Sequence, residues 1–392
     1  MQRETRLAHY GRQSLPGPAN PPVVRASTIL HDTVASYRAT KAARETDDSV
    51  LSYGRRGTTP AHALAEAVTD LEAGEASFLY PTGVAALAGA LQAYLGAGDH
   101  ILIVDTVFPA TRSYCETVLR RQGVTMGYFP WDCTDLSAYV TPQTRLVLVE
   151  SPASQSFEVM DLPALCADAH ARGLIVMADN TYGSGWLYQP LALGCDVSVI
   201  AGTKYLGGHA DVMMGAACAR GAAVAPLRAQ AHISGQTLAP DEAYACLRGI
   251  RTLGLRLERH GENALALATW CAARPEVTRV LHPGLPGHPG ADHWRRDARG
   301  CNGLFSVEFT PGFALEPFLD HLQLFAIGSS WGGFESLAMP VSPASGRQFE
   351  MASAGPMARF HAGLEHISDL IADMTAAFEA VAGADHQCAG TG

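Results

Sequence analysis

The chain has 392 residues, 47% of them hydrophobic and 17% charged, with 28 Lys and Arg against 38 Asp and Glu for a net charge of −10. That length exceeds one ordinary domain of about 150 residues and predicts two or three, with apolar content enough for a large core. The acidic balance excludes a broad phosphate-gripping surface for nucleic acid, and no apolar run approaches the roughly 20 residues of a membrane span.

The N-terminus leads from Met1-Gln-Arg-Glu-Thr-Arg6 into polar residues rather than an apolar secretory core, so export is not expected and a cytoplasmic location is. Residues 1–58 are polar and contain Pro16, Pro18, Pro21 and Pro22, which predicts an extended arm with little core of its own. From Thr59 onward helical and strand-like segments alternate. Residues 60–73 place Leu64, Val68 and Leu71 on one helical face, with Pro60 near the start and Gly74 near the end. Gly83 opens a second helix carrying Leu87, Leu91 and Tyr94, stopped by Gly96 and Gly98.

Four apolar runs then follow, at residues 101–104, 146–149, 174–177 and 197–200, each about a strand long. They lack alternation, which predicts strands buried on both faces of a parallel sheet. A helix over 162–171 is expected behind Asp161 and Pro163. Such a sheet binds ligands at the carboxyl ends of its strands. A long helical stretch from Tyr244 through Leu247, Ile250, Leu253 and Leu257 to Trp270 marks a change of texture. Strand-like runs at 304–309 and 324–327 and a last helix over 365–381 predict a smaller α/β domain, and residues 383–392 read as frayed. The predicted division is an arm (1–58), a large domain (59–250) and a small domain (251–392).

Nine cysteines without any C-x-x-C argue for free thiols in a reducing compartment rather than a disulfide scaffold or zinc site. His282, His288 and His293 cluster in a Pro/Gly-rich segment that reads as surface, and no metal is expected.

Two of the predicted strands end in chemistry. Asp179-Asn-Thr-Tyr182 follows one, and Gly202-Thr203-Lys204-Tyr205 follows the next. An aspartate at one strand end and a lysine at its neighbour is the arrangement a pyridoxal phosphate site needs. The amine captures the cofactor aldehyde and later moves protons, while the carboxylate keeps the pyridine nitrogen protonated. Alone, a lysine after a strand usually reads as a solvated charge and an aspartate there often as a helix cap, but the pair flanked by Gly202, Gly207 and Gly208 shifts the balance. Tyr80-Pro-Thr-Gly83-Val84 at a helix start offers backbone N–H groups to a phosphate, and Tyr53-Gly-Arg55-Arg56 adds a phenol and two guanidinium groups.

These residues carry a resemblance. The chain resembles the Cys/Met metabolism (trans-sulfuration) family of pyridoxal-phosphate enzymes, and within it the bacterial cystathionine β-lyases. The similarity runs from Thr5 to Met374 through Tyr53-Gly-Arg-Arg-Gly-Thr58, Glu150-Ser-Pro152, Asp179-Asn-Thr181, Thr203-Lys-Tyr-Leu206, Arg251-Thr-Leu-Gly-Leu-Arg256, Ser330-Trp-Gly-Gly-Phe-Glu-Ser336 and Arg359-Phe-His-Ala-Gly-Leu-Glu365. It implies an α/β fold of the aspartate-aminotransferase kind (pyridoxal-phosphate fold type I), with a mainly parallel sheet in the large domain. It implies that Lys204 binds the cofactor aldehyde and works as catalyst with Tyr53, and that Asp179 partners the pyridine nitrogen. Gly83, Val84 and Thr203 would hold the phosphate and Phe108 would stack on the ring. Tyr53 and Arg55 would reach the phosphate of a neighbouring subunit in a homo-oligomer, a dimer of dimers. Arg359 would take the substrate carboxylate, with Ser330, Trp331 and His232 lining the pocket.

Phe108 stands where the family commonly has a tyrosine, His232 replaces a tyrosine of the β-lyases, and Ser329 replaces an aromatic residue. These departures bear on the substrate more than on the cofactor. The implied activity is β-elimination of cystathionine or a related thioether amino acid to a thiol, pyruvate and ammonia. The alternative is γ-elimination or γ-replacement, extending to larger substrates such as S-adenosylmethionine. A non-catalytic regulatory protein ranks third.

Overall fold

In the computed structural model of the chain, residues 1–12 and 16–389 are described, with side chains to residue 383. The larger sheet is built from β1 (Ala76–Tyr80), β2 (His100–Val104), β3 (Thr125–Phe129), β4 (Thr144–Glu150), β5 (Ile175–Asp179), β6 (Val197–Ile200) and β7 (Gly215–Ala219). Their order is β1-β7-β6-β5-β4-β2-β3. The five strands from β3 to β6 run parallel, whereas β7 is antiparallel to both β6 and β1.

The four predicted runs are β2, β4, β5 and β6. Residues 101–104 and 146–149 are wholly buried, as continuous apolar strands covered on both faces must be. The antiparallel β7 gave no comparable signal, because Gly215-Ala-Ala-Cys-Ala219 contains no β-branched or aromatic residue. Small residues are required there: a side chain at Gly215 would stand 2.2 Å from the Thr82 carbonyl oxygen, at the start of the helix Gly83–Tyr94.

The second sheet contains β8 (Val277–Leu281), β9 (Leu304–Phe309), β10 (Ala326–Ile327), β11 (Leu337–Val341) and β12 (Met357–His361), in the order β10-β11-β12-β9-β8. Its pairings are antiparallel apart from β10 with β11. A core of Phe305, Phe309, Phe318, Phe360 and Phe378 fills the space between this sheet and its helices, with the Phe309 and Phe313 rings stacked at 4.4 Å.

Several expectations are corrected by packing. The arm is not wholly extended: it contains the helices Arg3–Leu7 and Val34–Ala43. Arg3 is buried and donates to the carbonyls of Trp186, Leu71 and Gly185, anchoring the first helix to the larger unit. The long helix is two, Pro240–Ile250 and Leu253–Ala272, interrupted at Arg251–Thr252. The last helix runs over Ile367–Ala389, so the expected fraying from 383 is not found as far as residue 389; residues 390–392 lie outside the described residues. His282 and His288 are buried at 0% and 7% exposure, against the reading of that segment as surface. Burial pushes the His282 imidazole down to about 3, and His288 Nε2 lies 2.6 Å from the Phe157 carbonyl. No described helix is long and apolar enough to cross a membrane, and no metal-ligand cluster occurs among the described residues.

Candidate active site

The carboxyl ends of β4, β5 and β6 lie side by side, with Glu150 opposite Asp179 and Asp179 opposite Val199 in register. Asp179 is the last residue of β5. Thr181 donates to its Oδ1 twice, from the backbone N–H at 3.0 Å and the hydroxyl at 2.6 Å. The same hydroxyl accepts from Ala201 N–H at 2.9 Å, tying the end of β5 to the turn after β6. Oδ2 has no such donor among the described residues. Burial raises the Asp179 carboxyl, against the lowering effect of the Thr181 bonds and the nearby Lys204 charge.

Lys204 lies on the turn that follows β6. Its Nζ donates to Ser330 Oγ at 2.8 Å and stands 5.5 Å from the centroid of the Trp331 ring. Burial, with the Arg359 cation adding to it and Asp179 opposing, pushes the amine down to about 8. Arg359 is the central residue of β12 and donates to the Ser330 carbonyl at 2.9 Å. One cleft thus joins an amine and a carboxylate from the larger sheet to a guanidinium from the smaller one.

The other predicted residues divide between this cleft and a second cluster. Gly83 begins the helix Gly83–Tyr94, capped by the Thr82 hydroxyl, which accepts from Ala85 N–H at 3.0 Å. The glycine is needed for packing: a Cβ there would lie 2.5 Å from that of Ala201, so the helix start presses on the turn that leads to Lys204. Val84 is half-exposed beside it. The Thr203 hydroxyl accepts from Met214 N–H at 2.9 Å. Phe108 is 42% exposed, and its backbone N–H donates to Glu150 Oε2 at 2.6 Å.

Tyr53, Arg55 and His232 form the second cluster. Arg55 bonds to the His232 carbonyl, and its guanidinium carbon stands 5.9 Å from the Tyr53 ring centroid. The His232 ring lies 3.2 Å from Asp48 Oδ1 and 3.1 Å from Arg56 Nη2. Arg55 and His232 line a cavity of about 360 Å³ with Asp48, His62 and Arg228, and neither Lys204 nor Arg359 is part of its lining.

Sequence reasoning missed Glu72, Glu150 and Asp48. Glu150 stood within a quoted motif without a role. It is partly buried at the end of β4, and desolvation together with Asp179 raises its carboxyl well above the usual range. Glu72 accepts from Asn180 Nδ2 at 2.9 and 3.1 Å, and burial raises it to about 7. Neither carboxylate had a sequence signal, since a glutamate ending a helix or strand reads as solvated.

Residues 4–379 match the family described as Cys/Met metabolism PLP-dependent enzyme. The chain belongs to that family. As a Cys/Met metabolism enzyme its cofactor is pyridoxal 5′-phosphate. Among the relatives of this Cys/Met metabolism enzyme, a putative cystathionine beta-lyase of Rhizobium johnstonii is 40% identical over 385 residues, covering 96% of each chain. The cystathionine beta-lyase of Escherichia coli is 39% identical over 387 residues, covering 96% of this chain and 98% of the relative. The crystal structure of cystathionine gamma-lyase from Lactobacillus plantarum complexed with L-serine superposes with a TM-score of 0.88 at 28% identity, covering 97% of this chain and 99% of that one. The expected fold, with its mainly parallel larger sheet and second smaller sheet, agrees with this neighbour.

Proposed function

We propose that this enzyme is a carbon–sulfur lyase that β-eliminates cystathionine or a related thioether amino acid, giving a thiol, pyruvate and ammonia. The carrying observation is the meeting of Lys204, Asp179 and Arg359 at one cleft from three separate segments. The donor set fits the cofactor. Asp179, its Oδ2 uncommitted, would partner the ring nitrogen, and Lys204 would take the aldehyde. The N–H groups of Gly83 and Val84 with the Thr203 hydroxyl would take the phosphate, and the uncovered Phe108 ring would lie against the cofactor face. When bound, the cofactor supplies an electron sink for the pair left at the substrate α-carbon.

The chain's own residues do the remaining work. Arg359 binds the α-carboxylate through two parallel hydrogen bonds. Ser330 and Trp331 wall the pocket beside it. Lys204 Nζ removes the α-proton, the thiolate departs from the β-carbon and takes up a proton, and water releases ammonia to leave pyruvate.

Separation of the Tyr53–Arg55–His232 cluster from Lys204 supports an active site completed by a neighbouring copy, in a homo-oligomer built as a dimer of dimers. Tyr53 then acts as a catalytic residue on the neighbour's cofactor, and His232 reaches the neighbour's substrate pocket. The chain divides into an arm (1–58), a cofactor-binding domain (59–250) and a small domain (251–392), the last boundary supported by the helix break at Arg251–Thr252. The free thiols of the described cysteines support a cytoplasmic location. The acidic charge balance supports a small-molecule substrate rather than nucleic acid.

A second reading, γ-elimination or γ-replacement, is favoured by the likeness to the Lactobacillus γ-lyase and by Phe108, His232 and Ser329. Incubation with cystathionine and identification of the keto acid separates the two: pyruvate supports β-elimination, and 2-oxobutyrate overturns it.

A further inference from the structure

The turn that carries Ser330 and Trp331 is held in a conformation that its residues resist. Ser330 has φ +98°, in the left-handed region that a residue with a side chain rarely adopts. Gly332, at φ +88°, lies directly on the Lys204 backbone: a Cβ there would be 2.9 Å from the Lys204 carbonyl carbon and from Tyr205 N. Such a turn persists only where its surroundings over-determine it.

Two neighbouring residues of β12 provide the restraint. Arg359 and His361 are two apart on one strand, so their side chains share a face. Arg359 donates to the Ser330 carbonyl, and His361 engages the same turn with both ring nitrogens. Gly332 N–H donates to Nε2 at 3.0 Å, and Nδ1 lies 3.1 Å from the Glu335 carbonyl oxygen. A backbone N–H can only donate and a carbonyl can only accept, so one neutral tautomer satisfies both, with the proton on Nδ1. Burial, with His260, Arg359 and Lys204 nearby, pushes the imidazole well below its ordinary range and keeps it neutral. The bland alternative is a core histidine packed on its ring neighbours, Tyr205 at 6.0 Å and His260 at 5.0 Å. Packing alone does not account for both nitrogens bonding to the single turn that faces Lys204.

We propose that His361 is a positioning residue that clamps the 330–335 turn over Lys204, and so sets where Ser330 and Trp331 stand relative to the amine and to Arg359. This inference rests on reading that cleft as the active site.

The test compares wild-type holoenzyme with His361→Leu and His361→Gln by deuterium exchange of the peptide spanning 328–336, by the visible absorbance of bound cofactor, and by kcat and KM for a thioether amino acid. In His361→Leu, exchange in that peptide should quicken at least tenfold and KM should rise at least tenfold, while the cofactor absorbance stays. His361→Gln, whose amide keeps one donor and one acceptor, should recover most of the KM. Should the leucine variant fail to fold, His361→Asn, too short to span both contacts, takes its place with the same expectation. A folded variant with unchanged exchange and unchanged KM overturns the clamp, as does a general loosening that spares no other peptide and that glutamine does not relieve. If the wild type turns over no thioether amino acid, the lyase reading fails, and exchange at 328–336 still decides the clamp.

Discussion

Lys204 stands between two opposite charges inside a poorly solvated cleft, and its proton affinity follows from that. Burial and the Arg359 cation disfavour the ammonium, Asp179 favours it, and the balance brings the amine down to about 8 from 10.5. Only the neutral amine can attack an aldehyde, so in cofactor-free protein the rate of cofactor capture should climb with pH and level off above about 8. Stopped-flow absorbance on adding pyridoxal phosphate measures this; a limb still rising toward 10.5 would show an unperturbed lysine. Arg359 makes a complementary case. Its planar fork matches a carboxylate, and lysine's point charge does not. Arg359→Lys should therefore raise KM by the equivalent of about 1–3 kcal/mol, with kcat less affected. Steady-state kinetics giving an unchanged KM would remove Arg359 from the carboxylate site.

At the scale of elements, the ends of β5 and β6 are joined to each other by Thr181 and backed by the helix Thr59–Glu72, whose final residue is a buried acid. Glu72 rises from 4.5 to about 7 because burial outweighs the two Asn180 bonds that favour its anion. Between those two pH values the folded chain holds a proton that the unfolded chain has released. Stability from this group is therefore complete below about 4.5 and is lost as pH rises through about 7. Glu72→Gln should flatten that decline, by up to about 3 kcal/mol at neutral pH. Thermal unfolding of both forms between pH 5 and 8 checks it, and parallel curves would show that Glu72 titrates normally. None of this was visible in the sequence, where Leu71-Glu72-Ala73-Gly74 reads as a solvated helix end. Helix Leu162–Ala171, by contrast, was placed by Asp161 and Pro163 at its start, both local cues.

For the whole molecule, the arrangement of charged groups matters more than their number. Arg55 and Tyr53 belong to a cluster that does not meet Lys204 within one chain. If the two clusters complete each other across copies, Lys204→Ala and Arg55→Ala chains should each be nearly inactive alone. Co-expressed at equal levels, they should recover roughly a quarter of wild-type activity, since half the pairs are hybrids with one intact site of two. Recovery no greater than the sum of the two variants would place the whole site within one chain. Asp48 enters here as well: it bonds Arg228 at 2.8 Å and His232 at 3.2 Å, bracing the segment that presents Arg55.

Local pattern was sufficient for β2, β4, β5 and β6, for the helices Thr59–Glu72, Gly83–Tyr94, Leu162–Ala171 and Ile367–Ala389, and for placing Asp179 and Lys204 at the ends of neighbouring strands. Continuous apolar runs must be buried on both faces, and polar residues directly after them must fall at one edge of the sheet. The same logic could not find β7, whose small residues carry no propensity signal and are required by the helix packed against them. Nor could it separate His282 or Glu72 from surface residues, because burial depends on what packs around a residue and not on its identity. The contact between Lys204 and Ser330 spans 126 residues. The two sheets must pack before the amine meets that hydroxyl, and before His361 and Arg359 can restrain the turn above it, because contacts between distant segments leave no periodicity along the chain.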